Sequence, residues 1–349
     1  MKTLQQFSLK PESIPTTVSW YLADLAEARG KQDLFTRQAP QKLKALREHA
    51  LIESAVSSNR IEGVVVDQRR IGTLVFGKPL LRDRNEEEVR GYRDALKLIH
   101  EQGAKLPLTE ATIRRLHRQI RGEIWDAGRY KERDTDIIER SPDGRHRVRF
   151  KTVPAKETPR SMRELTGLWN RCLKEQWVQP LIALGAWNLD FLCIHPFRDG
   201  NGRVSRLLLL LQCYHLGYEV GRYVSLERLI EQNKERYYET LEQSSRRWHE
   251  GRHDPWPYIG YLLYILKTAY REFEERSSQM QTPRGAKTEL VEATIRKFSG
   301  EFTLSELEQA CLGVGPDLVR KVLRDLQKAG KVKCLGRGPG AHWRSSRER

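Results

Sequence analysis

The sequence predicts a mainly α-helical protein, with a helical core that carries one β-hairpin and a separate small domain at the C-terminus. Two apolar stretches, 181–194 and 207–211, show no excess of β-branched residues, which indicates two buried helices. Segment 134–152 alternates apolar and basic residues beside a turn, which is typical of a hairpin. The charged segment 271–287 is interpreted as a linker to a C-terminal domain at 288–349.

Helices are also predicted upstream of the core, which we place at 104–270. Residues 1–103 form an N-terminal helical region, in which the helix at 41–63 ends with the sequence SSNRIEG. The charged run at 82–88 mixes both signs, so we interpret it as a solvent-exposed helix face. Thr109 precedes an amphipathic stretch and is predicted to cap the first core helix.

Composition indicates a soluble globular protein. The chain has 349 residues, 38% hydrophobic and 31% charged, which suits two or three domains with a sizeable core. No apolar run approaches the roughly 20 residues of a membrane span, and the first residues do not resemble a signal peptide. We therefore expect a cytoplasmic protein without a membrane partner.

The net charge of +16 favours an anionic partner such as a nucleotide, a nucleic acid or an acidic protein surface. A merely basic globular protein would have the same balance, so charge alone identifies no function. The five cysteines include no CxxC pair and are interpreted as reduced core thiols.

The stretch at 195–206, HPFRDGNGRVSR, lies between the two buried helices. His195 precedes a proline, so the incoming helix is predicted to end there. Gly200 and Gly202 flank Asn201, and the N–H groups of such a turn at a helix N-terminus form a site for an anion such as phosphate.

Charged side chains in the same stretch complement a phosphate site. Arg203 and Arg206 lie three residues apart on one helix face, where two guanidinium groups can bind more than one phosphate. Asp199 beside them suits a Mg²⁺ ion that also binds phosphate oxygens. Singly, these features are typical of a helix cap, an ordinary turn and a solvated face. Their combination favours a functional site.

This stretch resembles the signature of Fic-domain proteins, HPFx[DE]GNGRxxR, and matches it at every defined position. The resemblance implies a Fic-type helical core that transfers AMP from ATP to a hydroxyl side chain of a target protein and releases pyrophosphate. It implies that His195 is the general base, a role that suits imidazole near neutral pH, and that Asp199 binds Mg²⁺. The residues implied to bind the nucleotide are Gly200, Asn201, Gly202, Arg203, Arg206 and Tyr237. For Tyr237 a core position is the alternative, because aromatic residues at helical spacing are usual in protein cores.

SSNRIEG places Ser58 and Glu62 on one helical face. A polar helix end followed by a turn has the same pattern. The Fic resemblance favours another interpretation, because some members of the family carry an inhibitory helix of the form [ST]xxxE[GN]. Its glutamate pairs with the second arginine of the signature, which here implies an inhibitory ion pair between Glu62 and Arg206.

The resemblance also implies that the hairpin at 134–152 is a flap, which aligns the target segment beside the active site by main-chain pairing. Before it, GRYK at 128–131 resembles the G-x-[FY]-R segment of the family. Lys131 replaces the usual arginine, which keeps the charge but changes the geometry of the side chain.

The C-terminal domain is predicted to contain three helices, at 289–298, 303–312 and 317–329, and a short β-ribbon. This order resembles a winged helix-turn-helix, in which the third helix reads the major groove of DNA. The implied DNA-binding residues are Arg320, Lys321 and Arg324. An accessory domain for protein contacts or dimerisation is the alternative.

Two hypotheses follow. The first is a protein adenylyltransferase (AMPylase) that uses ATP and Mg²⁺ and is autoinhibited by Glu62, with removal of AMP from a target as a close variant. The second is a transcriptional regulator in which the Fic core senses ATP. The complete signature favours the enzyme, since a sensor has no need of His195 as a base. The expected partners are a target protein with a Ser, Thr or Tyr hydroxyl, DNA, and a second copy of the chain in a homodimer.

Overall fold

The computed structural model describes residues 2–9, 13–38, 40–77, 80–140, 146–279, 286–298, 300–311, 314–336, 338 and 340–346. Its α-helices are α1 (Lys2–Leu9), α2 (Thr16–Gln38), α3 (Pro40–Ile61), α4 (Ile71–Phe76), α5 (Arg84–Gln102), α6 (Glu110–Arg121), α7 (Thr158–Glu175), α8 (Pro180–Ile194), α9 (Asn201–His215), α10 (Leu226–Gln232), α11 (Lys234–Ser245), α12 (Trp256–Gln279), α13 (Ala286–Lys297), α14 (Leu304–Ala310) and α15 (Pro316–Lys328). Its strands are β1 (Ile137–Arg140), β2 (His146–Phe150), β3 (Glu301–Thr303), β4 (Val332–Cys334) and β5 (His342–Ser345). The prediction of a mainly α-helical fold is confirmed.

The chain divides into two compact units. The first contains residues 1–34 and 47–273, and the second contains 35–46 and 274–349. None of the helices in the described ranges is both long and apolar enough to cross a bilayer.

In the first unit, α8 and α9 form the centre of the core. Every residue of α8 from Leu181 to Ile194 is buried, as expected for a helix that is apolar on all faces. α9 packs against α8 and is buried from Arg203 to Tyr214. α1 and α7 contact α8, while α5 and α6 contact α9. The stretch 195–206 therefore connects two core helices, as predicted.

The hairpin is present. β1 and β2 pair antiparallel, with Ile138 opposite Val148. The predicted turn between the strands, at 141–145, lies outside the described residues.

The N-terminus and the charged run differ from the prediction. α1 was not predicted; Asp190 of α8 caps it by accepting hydrogen bonds from the N–H groups of Thr3 and Leu4 at 3.0 and 3.2 Å. The interpretation of 82–88 as a solvent-exposed face holds for Arg82, Asp83 and Glu87, which are exposed. It was wrong for Glu86 and Glu88, which are 3% and 6% exposed. Both carboxylates are paired with arginines, which is the condition for burying a charge.

The second unit contains α13, α14 and α15 and a three-stranded antiparallel sheet in the order β3-β5-β4. The capping box of Thr303 and Glu306 that opens α14 is present. β3 was not predicted and pairs with β5, with Phe302 opposite Trp343. Apolar residues of all three helices, with Phe302 and Val332, form a core of the unit's own. The predicted linker differs in part: α12 continues through Gln279, and 280–285 lie outside the described residues.

Candidate active site

The loop between α8 and α9 is fixed by contacts within the protein. His195 ends α8 in the left-handed conformation, with φ 53°, which is uncommon for a residue other than glycine. The carbonyl of Pro196 accepts a hydrogen bond from the backbone N–H of Lys131 at 2.9 Å. The side chain of Asn201 accepts from the N–H of Phe197 at 2.9 Å and donates to its carbonyl at 2.8 Å. Because both ends of the Asn201 amide hold the loop, only its backbone N–H is left for a bound phosphate.

The first turn of α9 has the features of an anion site. Gly200 adopts φ 81° immediately before the helix, and the N–H groups that follow it precede the first intrahelical hydrogen bond. A Cβ atom on Gly202 would lie only 2.3 Å from Glu62 Oε1 and 3.3 Å from Arg206 Nη1. The Glu62 carboxylate therefore lies directly against this turn, where the helix dipole stabilises negative charge.

Arg206 is 3% exposed and is held by the end of α3. Its Nε donates to Ser58 Oγ at 2.9 Å, and its Nη2 donates to the Ser58 carbonyl at 2.9 Å and to Glu62 Oε1 at 2.8 Å. Burial works against the charge of Arg206, but the Glu62 carboxylate outweighs this effect and the pKa of Arg206 is raised. The ion pair of Glu62 and Arg206 is thus present, while its inhibitory effect stays a prediction.

Two buried donors of the signature arginines, Arg206 Nη1 and Arg203 Nε, have no hydrogen-bond partner among the described residues. A buried donor without a partner costs about 1–3 kcal/mol. An anionic ligand at the first turn of α9 would supply acceptors for both atoms, so their position favours such a ligand there.

Arg203 belongs to a buried network of charges. Its Nη1 lies 2.6 Å from Glu88 Oε2 and 3.3 Å from Asn59 Oδ1. Glu88 also accepts from Arg121 Nη1 at 3.2 Å, and the same Arg121 nitrogen pairs with Asp199 Oδ2. The network joins α3, α5, α6 and α9, and it fixes both Arg203 and Asp199.

Removal of the Glu88 charge is expected to destabilise the fold strongly. Glu88→Gln leaves Arg203 and Arg121 buried without their shared carboxylate, so we expect the free energy of unfolding to fall by about 2–4 kcal/mol. Urea unfolding monitored by circular dichroism measures this. The matched control is Glu87→Gln, because the Glu87 side chain is 45% exposed and pairs with the same Arg84 as Glu88 does. The control should change stability by less than about 0.5 kcal/mol, and an equal effect of both variants would contradict the role of the network.

Asp199 keeps an exposed carboxylate, since its side chain is 57% exposed. Partial burial raises its pKa, but Arg121, Arg203 and the N–H of Gly200, 2.6 Å from Oδ1, together bring the pKa below its ordinary value. Asp199 is therefore ionised at neutral pH, as a metal ligand must be.

His195 is partly exposed at the end of α8. Its pKa is lowered to about 4, chiefly because burial disfavours the imidazolium form and because Lys131 adds positive charge nearby. Lys131 donates from Nζ to Thr152 Oγ1 at 2.6 Å and to the carbonyl of Ile194 at 3.2 Å, and burial lowers its own pKa to about 8. At neutral pH the imidazole is therefore uncharged and able to accept a proton.

His117 supports the same loop from α6. Its ring stacks on Phe197 at 3.8 Å, its Nε2 bonds the Asp199 carbonyl at 3.0 Å, and its Nδ1 accepts from the N–H of Gly128 at 2.8 Å. These contacts assign the proton to Nε2 of a neutral ring. Both nitrogens are used, so His117 is structural.

Stability is expected to fall in mild acid partly through His117. Burial lowers the pKa of His117 in the fold to about 4, from an ordinary value of 6.5 for histidine. As the pH falls, the unfolded chain therefore binds a proton on His117 before the folded chain does. The stability that neutral His117 contributes is fully present above pH 6.5 and is lost as the pH falls to 4. The difference in unfolding free energy between wild type and His117→Gln should shrink by about 1–3 kcal/mol over that range. The exposed His49 provides the control, and the account is contradicted if His49→Gln shows the same change.

Tyr237 is 2% exposed and packs among other tyrosines, with ring centroids 5.1–6.0 Å from Tyr238, Tyr258 and Tyr261. It is therefore part of the core, and its predicted contact with a nucleotide stays a prediction. Tyr238 was not predicted as a site residue. It is more exposed than Tyr237, and burial together with the Glu62 carboxylate raises its pKa. Tyr238 is thus the tyrosine whose phenol is affected directly by Glu62.

The hairpin presents apolar side chains to solvent. Ile138 and Val148 face each other across the strands and are 55% and 50% exposed. The other side of β2 is anchored to α11, because Arg147 and Arg149 pair with Glu242 at 3.1 and 3.3 Å. An exposed apolar surface on a hairpin is typical of an interaction site.

The three residues predicted to bind DNA lie together on α15. Arg320, Lys321 and Arg324 are all exposed. Arg320 pairs with Glu308 at 3.3 Å, and Arg324 Nε donates to the carbonyl of Arg320 at 3.2 Å. The opposite face of α15 is buried, so these cations form one solvent-facing side of the helix.

The structure brings most predicted site residues together. His195 and Asp199 lie on the loop that leads into the first turn of α9. Ser58 and Glu62, at the end of α3, contact Arg206 of α9. Residues 107–213 match the family model of the Fic/DOC family. The chain therefore contains a Fic/DOC family domain, which confirms the resemblance of the signature at the level of this domain.

Known proteins agree with this assignment. Over 211 residues the chain is 24% identical to the curated protein adenylyltransferase Fic of Nematostella vectensis, an alignment that covers 58% of this chain and 45% of that relative. The chain thus spans about half the length of this curated relative.

Solved structures show the likeness of the fold. A Fic family protein from Desulfovibrio desulfuricans G20 superposes with a TM-score of 0.62 at 23% identity, covering 97% of this chain and 98% of that one. A Fic domain containing signaling protein from Bacteroides thetaiotaomicron has a TM-score of 0.61 at 23% identity, covering 73% of this chain and 97% of that one. Fic-1 from C. elegans has a TM-score of 0.58 at 18% identity, covering 75% and 74%.

Proposed function

We propose that the chain is a protein adenylyltransferase that moves AMP from ATP to a Ser, Thr or Tyr hydroxyl of a target protein. The observation that carries this proposal is the first turn of α9, where backbone N–H groups and Arg206 meet around an anion position that the Glu62 carboxylate now fills. The Fic/DOC domain match and the name of the Nematostella relative support the reaction class.

The chemistry follows from the positions of the side chains. His195, neutral at pH 7, takes the proton of the target hydroxyl as its oxygen forms a bond to the α-phosphorus. The bond between the α-phosphorus and the bridging oxygen breaks, and pyrophosphate leaves. Phosphoryl chemistry of this kind depends mainly on positioning and charge stabilisation, which the rigid loop supplies.

The phosphates would be held by the backbone of Gly200, Asn201 and Gly202 and by the two arginines. Arg206 donates two hydrogen bonds to Ser58 of α3 and one to Glu62, and its Nη1 has no partner among the described residues, so displacement of Glu62 frees donors of Arg206 for the departing phosphates. The charge of Arg203 is compensated by Glu88, and its Nε, which has no partner among the described residues, is the donor that Arg203 would offer to a phosphate.

Mg²⁺ fits one residue of the site. Among the described residues no three His, Cys, Asp or Glu side chains cluster as a metal site. Asp199 offers one ionised, exposed carboxylate, and Mg²⁺ commonly takes one carboxylate together with phosphate oxygens and water. Mg²⁺ bound by Asp199 would neutralise phosphate charge.

The full-length chain incubated with a cell lysate and ATP tests the reaction class. Label at the α-phosphorus should enter protein, while label at the γ-phosphorus should appear in pyrophosphate. Transfer of the γ label to protein would contradict the proposal. Loss of AMP from previously labelled protein after addition of the chain, without any incorporation, would instead indicate the reverse activity, removal of AMP.

A DNA-binding function of the second unit is proposed beside the enzyme. The supporting observation is the exposed cationic side of α15 in a unit that has three helices, a three-stranded sheet and its own core. The winged helix-turn-helix interpretation assigns α15 to the major groove. Arg320→Glu with Arg324→Glu should abolish retention on genomic DNA fragments and leave AMP transfer unchanged. Retention equal to wild type would contradict this function and favour a protein-contact domain.

A further inference from the structure

We propose that a cleft between the flap and the segment after α11 binds an acidic segment of the protein that is modified. We call it the basic cleft; it is lined by residues 147–151 on one side and by Glu242 and 245–250 on the other, and has a volume of about 510 Å³. The identity of the partner rests on the proposed function, whereas the preference for acidic peptides rests on the cleft alone.

Charge in the basic cleft is strongly positive. Among the described residues that line it, the carboxylates are those of Glu242 and Glu250. The cationic side chains around them are Arg147, Arg149, Lys151, Arg246 and Arg247. Cations in excess of acids on one concave surface attract an anionic partner and speed its association.

The arginines of the cleft are already arranged around carboxylates. Glu242 lies 3.1 Å from Arg147, 3.3 Å from Arg149 and 3.6 Å from Arg246. Glu250 lies 3.0 Å from Arg247. The side chains of Arg246 and Arg247 are 70% and 55% exposed, and each guanidinium group carries five N–H donors, so these two arginines can bind additional carboxylates.

Aromatic residues of the cleft favour a peptide over a nucleic acid. Phe150 stacks on His249 at 5.3 Å, and His249 bonds the carbonyl of Lys151 at 2.6 Å. Trp248 is 3% exposed and donates to Asp190 at 2.6 Å. These rings pack on each other, whereas single-stranded nucleic acid needs aromatic faces open for its bases.

The cleft lies beside the chain segment that leads to the proposed catalytic base. Lys151 is two residues before Val153, whose N–H donates to the carbonyl of Cys193 at 3.4 Å. Cys193 is itself two residues before His195 in the sequence. The cleft is thus linked to the backbone before His195 through Val153, and we place there the acidic segment of a protein whose hydroxyl reaches His195.

Binding of a fluorescein-labelled decaglutamate peptide to the full-length chain, measured by anisotropy without ATP, tests the inference. Arg246→Glu with Arg247→Glu should weaken binding about tenfold or more. The matched control is Arg171→Glu with Lys97→Glu, which makes the same change in net charge at exposed residues that, like Arg246 and Arg247, pair with a nearby glutamate. The control should weaken binding less than about twofold. Lys151→Gln, a milder change, should weaken it about two- to threefold.

Three outcomes would overturn the inference. Equal weakening by cleft and control variants would show that only the net charge of the chain attracts the peptide. Failure of decaglutamate to bind the wild type would show that the cleft does not bind acidic segments. Tighter binding of oligothymidylate than of peptide, lost in the cleft variant, would make the cleft a nucleic-acid surface. Thermal melting equal to wild type excludes unfolding of the variants. A chain that binds the peptide in the cleft but transfers no AMP would contradict the proposed function alone.

Discussion

Glu62→Gly is expected to raise the initial rate of AMP transfer on the order of 10–100-fold at ATP concentrations below saturation. In the wild type the Glu62 carboxylate neutralises Arg206 and lies against Gly202. A triphosphate at this turn therefore lacks the attraction of the Arg206 charge and is repelled by the carboxylate. Glycine removes both obstacles and leaves the hydrogen bonds from Arg206 to Ser58 intact. Incorporation of α-labelled ATP into protein over time measures the rate.

Two further variants test whether the effect passes through Arg206. Glu62→Gln removes the charge but keeps an oxygen near Arg206, so we expect an intermediate rate. In an Arg206→Ala background the Glu62→Gly change should give little activation, because the partner of the carboxylate is gone. Full activation in that background, or no activation in wild type, would contradict autoinhibition by this ion pair.

His195→Ala is expected to lower AMP transfer by about 10²–10⁴-fold in the Glu62→Gly background. The neutral imidazole is the group placed to accept the hydroxyl proton, and alanine leaves that step without a base. The dissociation constant for ATP should change less than about threefold, since the phosphates are assigned to α9 and the arginines. Labelling rates and calorimetric titration with ATP measure the two quantities separately.

The exposed His49 serves as the control, and His49→Ala should leave both quantities unchanged. The assignment of His195 as the base fails if His195→Ala keeps the transfer rate. A large loss of ATP affinity in His195→Ala would instead give the residue a binding role.

The sequence was sufficient for the parts of the site that are local in the chain. The turn of 195–206 follows from a proline, two glycines and the apolar helices on either side, and its helix start at Asn201 is where the pattern places it. The approach of Glu62 to Arg206 is a contact over 144 positions, and periodicity alone does not predict it. It was anticipated only through resemblance to a family.

The buried charge network was missed because the charges of 82–88 were treated by composition instead of by helix face. Glu88 shares a face of α5 with Tyr92, Ala95 and Ile99, which are all fully buried, at spacings of four, seven and eleven residues. That spacing indicates that Glu88 points into the core. Its arginine partners come from α6 and α9, so only the tertiary structure identifies them.

Tertiary packing, which the sequence pattern does not predict, also determines the burial of the tyrosines and the formation of α1. Tyr237 and Tyr238 are adjacent in the sequence, and which of them is buried depends on the packing of α11 rather than on residue type. α1 is stabilised by Asp190, a residue 187 positions from Thr3, and its eight residues alone are too few for a stable isolated helix.

A crystal structure of Glu62→Gly soaked with ATP tests the central claim most directly. We predict that the β and γ phosphates lie at the first turn of α9, bound by the backbone N–H groups after Gly200 and by Arg206, with the α-phosphorus facing His195. A triphosphate bound elsewhere on the chain, or one at this turn with its α-phosphorus turned away from His195, would contradict it.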